Sequence, residues 1–157
     1  FMGVWNFWDE LEGAFTKVDV PQMTYGNRID LSEMKTIHDI LFMPQLIFFS
    51  RVDAVFNMPF FEVYNFGMSV LKELERMNVR DEQTFKYNPS REEVAAGYHK
   101  RVYGVFGTVD NIAKRMGITD HNKVFKLPES RIYAMLKIDF ENMMYQKRYS
   151  EIMSKRK

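Results

Sequence analysis

Cysteine is absent from the 157 residues, which excludes disulfide frameworks, thiol catalysis, iron–sulfur clusters and cysteine-based zinc sites together. Long apolar runs are absent too. The most hydrophobic stretch, Ile40–Phe49, is ten residues long and holds Pro44 and Gln45, whereas a membrane-spanning helix needs ~20 consecutive apolar residues. No basic region precedes an apolar stretch at the start of the chain. Asp9, Glu10 and Glu12 stand there instead, so neither a signal peptide nor a membrane span is expected. A strong net charge is lacking as well: the formal value is +1. With aromatics at 15% and hydrophobic residues at 46%, a disordered or low-complexity chain is excluded, and the length suffices for a real core.

Signatures of catalysis are equally sparse. The three histidines, His38, His99 and His121, follow no HExxH or His-x-His spacing, and no metal or cofactor is expected. The carboxylates scatter along helix faces beside lysines and arginines, as Glu73 and Glu75 do beside Lys72 and Arg76. Ser32, Ser50, Ser69 and Ser90 lie in no nucleophile-elbow context. Gly97, Gly104 and Gly107 invite a phosphate-loop reading, but no strand precedes them and no Lys-Ser/Thr pair follows. No catalytic residue is assigned.

What is present reads as helix. Ser90-Arg-Glu-Glu93 is a capping-box pattern. From it Val94, Tyr98, Val102, Val105, Val109, Ile112 and Met116 recur at spacings of three and four, ahead of Gly117. This predicts one continuous helix over 90–117. Pro128 suits a first helical turn, and Ile132, Met135, Leu136, Phe140, Met143, Met144 and Ile152 follow at helical spacing with no further proline or glycine, predicting a long C-terminal helix. Between Ile37 and Met77 two helical stretches are expected, broken at Pro44 and Pro59. Phe60, Tyr64, Gly67, Leu71 and Leu74, with Val63, Val70 and Met77 beside them, form a stripe wide enough for burial on more than one side. Residues 45–56 favour helix over a buried strand. Residues 18–30 read as an irregular connector and 78–89 as a polar linker. The expected architecture is all-α: a single helical domain, 1–157, of about five helices, in which the linker 78–89 separates a front portion (residues 1–77) from a back portion (residues 90–157). Ile40-Leu-Phe-Met-Pro44, Val55-Phe-Asn-Met-Pro59 and Val124-Phe-Lys-Leu-Pro128 share one pattern. It reads either as a repeated helix-break-helix unit or as three independent corners.

The excess lies in aromatics and methionine: 14 Phe, 8 Tyr, 2 Trp and 12 Met. Two readings stand, a Phe-rich core and surface covered by partners; the enrichment of these residues at interface centres favours the second. Trp5, Trp8, Leu11 and Phe15 fit a short amphipathic helix, acidic on its polar side, that suits docking onto protein rather than onto a membrane. Three glycines inside a helix need a reason, and close approach of a second helix or a neighbouring subunit at Gly97, Gly104 and Gly107 supplies one. Charge is polarised: residues 1–20 balance at −3 and residues 121–157 at +5. Lys147, Arg148, Lys155, Arg156 and Lys157 read either as a solvated helix end or as a basic contact for nucleic acid or an acidic partner, and the nucleic-acid footprint is weak.

Residues 88–152, with YNPSREEVAAGYHKRV, FGTVDNIAKRMG and KVFKLPESRIYAMLKIDFENMMYQKRYSEI, resemble small virion proteins of tailed bacteriophages, the crAss-like phages in particular. The resemblance implies a small helical subunit of a head, neck or tail assembly, without catalysis, located in the virion or the host cytoplasm. The expectation is therefore a non-enzymatic structural subunit, an oligomer whose partners are itself and other subunits. The rival readings are a chaperone-like or regulatory module holding a partner helix in a Phe/Met-lined groove and, more remotely, a helical enzyme with a distributed site.

Overall fold

The structure, a computed structural model, describes residues 18–50, 56–100 and 103–155. The fold is all-α. Helices α1 (Tyr25–Ser32), α2 (Ile37–Phe49), α3 (Phe60–Thr84), α4 (Arg91–Ala95), α5 (Gly104–Met116), α6 (Asn122–Phe125) and α7 (Glu129–Ser154) follow one another, with a 3₁₀ turn at Tyr98–Lys100. Among the described residues the β-like pairing is a single antiparallel bridge between Thr24 and Pro128. No helix of the described residues is long and apolar enough to cross a membrane. Two compact units emerge. One takes Ile29–Asn78 with the described residues of Phe1–Gln22, and the other takes Met23–Arg28 with Val79–Lys157.

In the first unit α2 begins with a reciprocal cap. Thr36 Oγ1 accepts from the Asp39 N–H at 3.2 Å, and Asp39 Oδ2 accepts from the Thr36 N–H at 2.9 Å and the Lys35 N–H at 3.0 Å. Those backbone donors hold the Asp39 carboxyl below its ordinary range. The helix then runs through Pro44 and ends at Ser50, a left-handed residue (φ 54°) whose N–H donates to the Leu46 carbonyl at 3.0 Å. The break expected at Pro44 is therefore not there. Proline cannot donate to the carbonyl four residues back, which is that of Ile40. At this carbonyl α3 presents Gly67, where a methyl group would stand 2.3 Å from the Ile40 oxygen. Pro44 itself is fully buried inside the helix. The seven-residue set Val63, Val70 and Met77 is buried as its spacing implies, as are Tyr64, Gly67 and Leu74, and Phe66 and Ser69 join them. Phe48 and Phe49 set their rings against Phe66 at 5.8 and 5.2 Å.

The second unit has its core at Val109, Ile112, Ala113, Val124 and Ile132, with Tyr25, Phe125, Leu127, Met135 and Leu136 packed around it. Met23 and Thr24 are pinned to the turn before α7: Tyr25 N–H donates to Leu127 O at 2.9 Å and Glu129 N–H to Met23 O at 3.0 Å. The α7 start falls after Pro128, and α5 ends on Gly117 in the left-handed region (φ 65°), both where the sequence places them.

Three expectations need correction. The helix expected over 90–117 is interrupted: α4 ends at Ala95, a 3₁₀ turn follows, and α5 starts at Gly104. Gly97 (φ 90°) and Gly104 (φ 55°), the residue that opens α5, have the positive φ that the interior of a right-handed helix does not take. Val94, Tyr98 and Val105 accordingly stay exposed. Residues 78–84 are the last turns of α3 rather than linker; the polar side chains of Arg80 and Asp81 there are engaged in ion pairs. Residues 25–30 are helical, not irregular. Of the three proline patterns, Pro59 and Pro128 precede helices while Pro44 lies inside one, so the repeat is not structural.

Candidate interaction surfaces

Polar clusters come first, because they are where chemistry would reside. In the second unit Glu129, at the start of α7 with its side chain 4% exposed, accepts from Arg28 Nη1 at 2.8 Å and Arg80 Nη2 at 2.5 Å. Asp81 accepts from the same two arginines at 2.7 and 2.8 Å. The Arg80 guanidinium lies 3.6 Å from the Tyr133 ring centroid. Two cations answer two carboxylates. Beside them burial pushes the Tyr25 hydroxyl above its ordinary range.

A second cluster grows from the capping box of α4. The Ser90 N–H donates to Glu93 Oε2 at 2.6 Å, Tyr87 Oη donates to Glu93 Oε1 at 2.5 Å, and Lys147 Nζ donates to Glu93 at 2.9 Å and Tyr87 Oη at 2.6 Å. The tyrosine hydroxyl, the backbone donor and the ammonium together lower Glu93 to about 2, and Tyr87 and Glu93 in turn raise Lys147. Lys147, expected as a basic contact for a partner, is thus engaged within its own chain.

The glycine segment frames a cavity of about 800 Å³ lined by Tyr98, His99, Tyr103, Phe106, Asp110 and Asn111, with Gly104 and Gly107 on its wall. Tyr103 and Phe106 are largely exposed. Asp110 is occupied by Lys114 at 2.6 Å, and His121 stands 3.8 Å from it with its ring against Phe106. Gly97 and Gly104 take positive φ, whereas Gly107 is held to glycine by a contact within its own helical turn. A methyl at Gly104 would meet nothing within 4 Å, and at Gly107 it would meet Tyr103 Cβ of the same turn at 2.6 Å. No second helix of the described chain supplies the close approach expected at this seam. His38 stacks on Phe42 and His99 lies edge-on to Tyr98. Among the described residues no three His, Asp or Glu side chains gather to hold a metal.

Helix α7 has two unlike faces. Tyr133, Phe140 and Lys147, seven residues apart, face their own unit: Phe85 sets its ring edge-on to Tyr133 and Phe140 at 6.0 and 5.6 Å, and Lys147 reaches Tyr87 and Glu93. At ~100° per residue the opposite face carries Ile138, Tyr145, Tyr149 and Ile152, each between 47% and 58% exposed. Tyr145 and Tyr149 stack with ring centroids 6.3 Å apart.

In the first unit Leu46, Phe49, Phe56, Phe60 and Phe61 are exposed. A shallow cavity of about 350 Å³ is lined by Met43, Leu46, Ile47, Asp30 and Glu33. Gln45 is fully buried, and its amide Nε2 has no hydrogen-bond partner among the described residues.

No family model, curated protein or solved structure matches the chain. Function must be read from these surfaces.

The expected N-terminal dock, Trp5, Trp8, Leu11 and Phe15, lies outside the described residues, as do Arg156 and Lys157. Arg148 and Lys155 are exposed on α7, with Arg148 Nε donating to the Met144 carbonyl at 3.2 Å. In the sequence Tyr145 and Tyr149 stand out only as aromatics interleaved with Lys147, Arg148 and Lys155, a weak nucleic-acid footprint, and not as one face with Ile138 and Ile152. The signal is present: Tyr145 and Tyr149 fall between the positions counted as apolar. The Arg28–Arg80–Asp81–Glu129 cluster leaves no local signal, since Arg28 and Glu129 lie 101 residues apart.

Proposed function

We propose that the chain is a non-enzymatic structural subunit that acts by assembling with copies of itself and with other subunits. The supporting observation is where the large apolar side chains lie. Phe49, Phe56, Phe60 and Phe61 in one unit and Tyr103, Phe106, Tyr145 and Tyr149 in the other are about half exposed or more, an amount of aromatic surface that partners normally cover. The carboxylates of the two polar clusters, Asp81 and Glu129 in one and Glu93 in the other, are ion-paired with arginine and lysine. The resemblance read from the sequence of residues 88–152 suggests the finer form of this proposal, a component of a tailed-phage head–tail neck, ring or tail assembly in the virion or the host cytoplasm.

Light scattering across a concentration series tests it. A mass that climbs above 18.8 kDa with concentration supports the reading; a monomer at every concentration overturns self-assembly. The second reading, a module that holds a partner helix, draws on the cavity lined by Met43, Leu46 and Ile47 with Asp30 and Glu33, which suits an apolar helix flanked by basic residues. A monomer that captures such a helix one to one would favour it.

A further inference from the structure

We infer that the outer face of α7 pairs with the same face of a second copy of this chain, the two helices running antiparallel. The inference rests on the assembly reading and specifies which surface and which occupant. Ile138, Tyr145 and Ile152 recur every seven residues, and Asn142 and Tyr149 fall between them, four residues after Ile138 and Tyr145. Three- and four-residue alternation of this kind forms the seam between two helices. The seam points away from the side of α7 that Phe85, Tyr87 and Glu93 occupy, so those residues do not compete for it.

Charge decides the occupant and the direction. One flank of the seam carries Glu141, Arg148 and Lys155, again seven apart. In an antiparallel pair with twofold symmetry each flank meets its own copy in reverse order. Glu141 then faces Lys155 of the second copy, and Lys155 faces its Glu141. The same register stacks Tyr145 on Tyr149 of the other copy in the central layers and sets Asn142 beside Ile152. A parallel pair would lose both Glu–Lys contacts. Among the described residues Glu141 is paired along its own helix with the exposed Lys137, whose Nζ lies 3.8 Å from Oε1. Arg148 is the one like-charge pair, on the symmetry axis, and it can turn aside along its own helix, where its Nε already donates to Met144 O. Two heptads bury less than the ~800 Å² per partner of a standard interface, so the pair forms at high concentration and dissociates on dilution.

The experiment is sedimentation velocity of the full chain across a concentration series, with far-UV circular dichroism to verify helicity. The wild type should move from monomer toward dimer, and Tyr149→Glu should weaken pairing at least tenfold at unchanged helicity. Glu141→Lys or Lys155→Glu alone should weaken it roughly threefold to tenfold, since each reversal acts twice in a symmetric pair. The double variant, Glu141→Lys with Lys155→Glu, should recover wild-type association. Wild-type association that Tyr149→Glu leaves intact, or single reversals that the double does not repair, overturns the antiparallel pair while self-assembly stands. A wild-type monomer at every concentration overturns both.

Discussion

The two units are secured by opposite kinds of contact. In the first, the decisive contact is steric: α3 comes so close to α2 at Ile40 that only a hydrogen fits between Gly67 and the Ile40 carbonyl. In the second, it is ionic: Glu129 and Asp81 share Arg28 and Arg80 at 2.5–2.8 Å. A steric contact fails when an atom is added, an ionic one when a charge is taken away. The units should therefore answer differently to small substitutions.

The largest effect is expected at Gly67. Gly67→Ala would place a methyl 2.3 Å from a backbone oxygen and 2.9 Å from Ile40 Cγ2, and a backbone atom cannot rotate aside. The cost should reach about 3 kcal/mol, the upper end for overpacking. Hydrogen exchange resolved by peptide should show lost protection over Ile37–Phe49 and the first turns of α3. Gly104→Ala sharpens the contrast. Its methyl meets open space, so the penalty is the left-handed backbone alone, about 1 kcal/mol. Equal losses at the two glycines would mean that helix contact is not what distinguishes them.

Glu129→Gln is the complementary break. It keeps the shape but removes the charge that Arg28 and Arg80 share while both remain largely buried, at 17% and 24% side-chain exposure. Loss of one partner from a buried pair costs ~3–5 kcal/mol. Asp81 still serves both arginines and they are partly solvated, so about 2 kcal/mol is expected here. The readout is faster exchange over Tyr25–Arg28 and the start of α7. A variant as stable as wild type would show that the cluster is surface decoration.

Sequence legibility follows the range of the interaction. The Ser90–Glu93 box, the Gly117 cap and the helix start after Pro128 are local matters, and each stands where its residues indicate. Pro44 is unreadable locally because what surrounds it comes from far along the chain: it is buried inside α2, and Gly67 closes on the Ile40 carbonyl that Pro44 cannot serve. Arg80 and Asp81 look like linker in the sequence because their polarity is explained only by Arg28 and Glu129. Gly97 and Gly104 fit the helical period equally well as interior residues or as corners; only their positive φ separates the two. The exposed face of α7 is hidden for the opposite reason: one helix carries two apolar stripes, and a single count from Ile132 to Ile152 merges them, with Ile152 belonging to the exposed one.

The smallest effect expected is one of pH. Glu93 ionises at about 2 in the folded chain, lowered first by the Tyr87 hydroxyl, then by the Ser90 N–H and Lys147, against ~4.3 for an unperturbed glutamate. A carboxyl whose folded value lies below its unfolded one contributes stability that is complete above the unfolded value. That contribution is lost as pH falls from about 5 toward 2. Acidification over this window should thus loosen the Tyr87–Glu93–Lys147 cluster while Lys147 stays charged throughout, its own value being raised. The measurement is the thermal midpoint at steps from pH 7 to 2 for wild type and Glu93→Gln. The variant should begin lower at pH 7 and decline less steeply below pH 5, so that the curves converge in acid. Parallel curves would mean that Glu93 titrates alike in the folded and unfolded chain, and that the α4 cap and the inner face of α7 are held by packing alone.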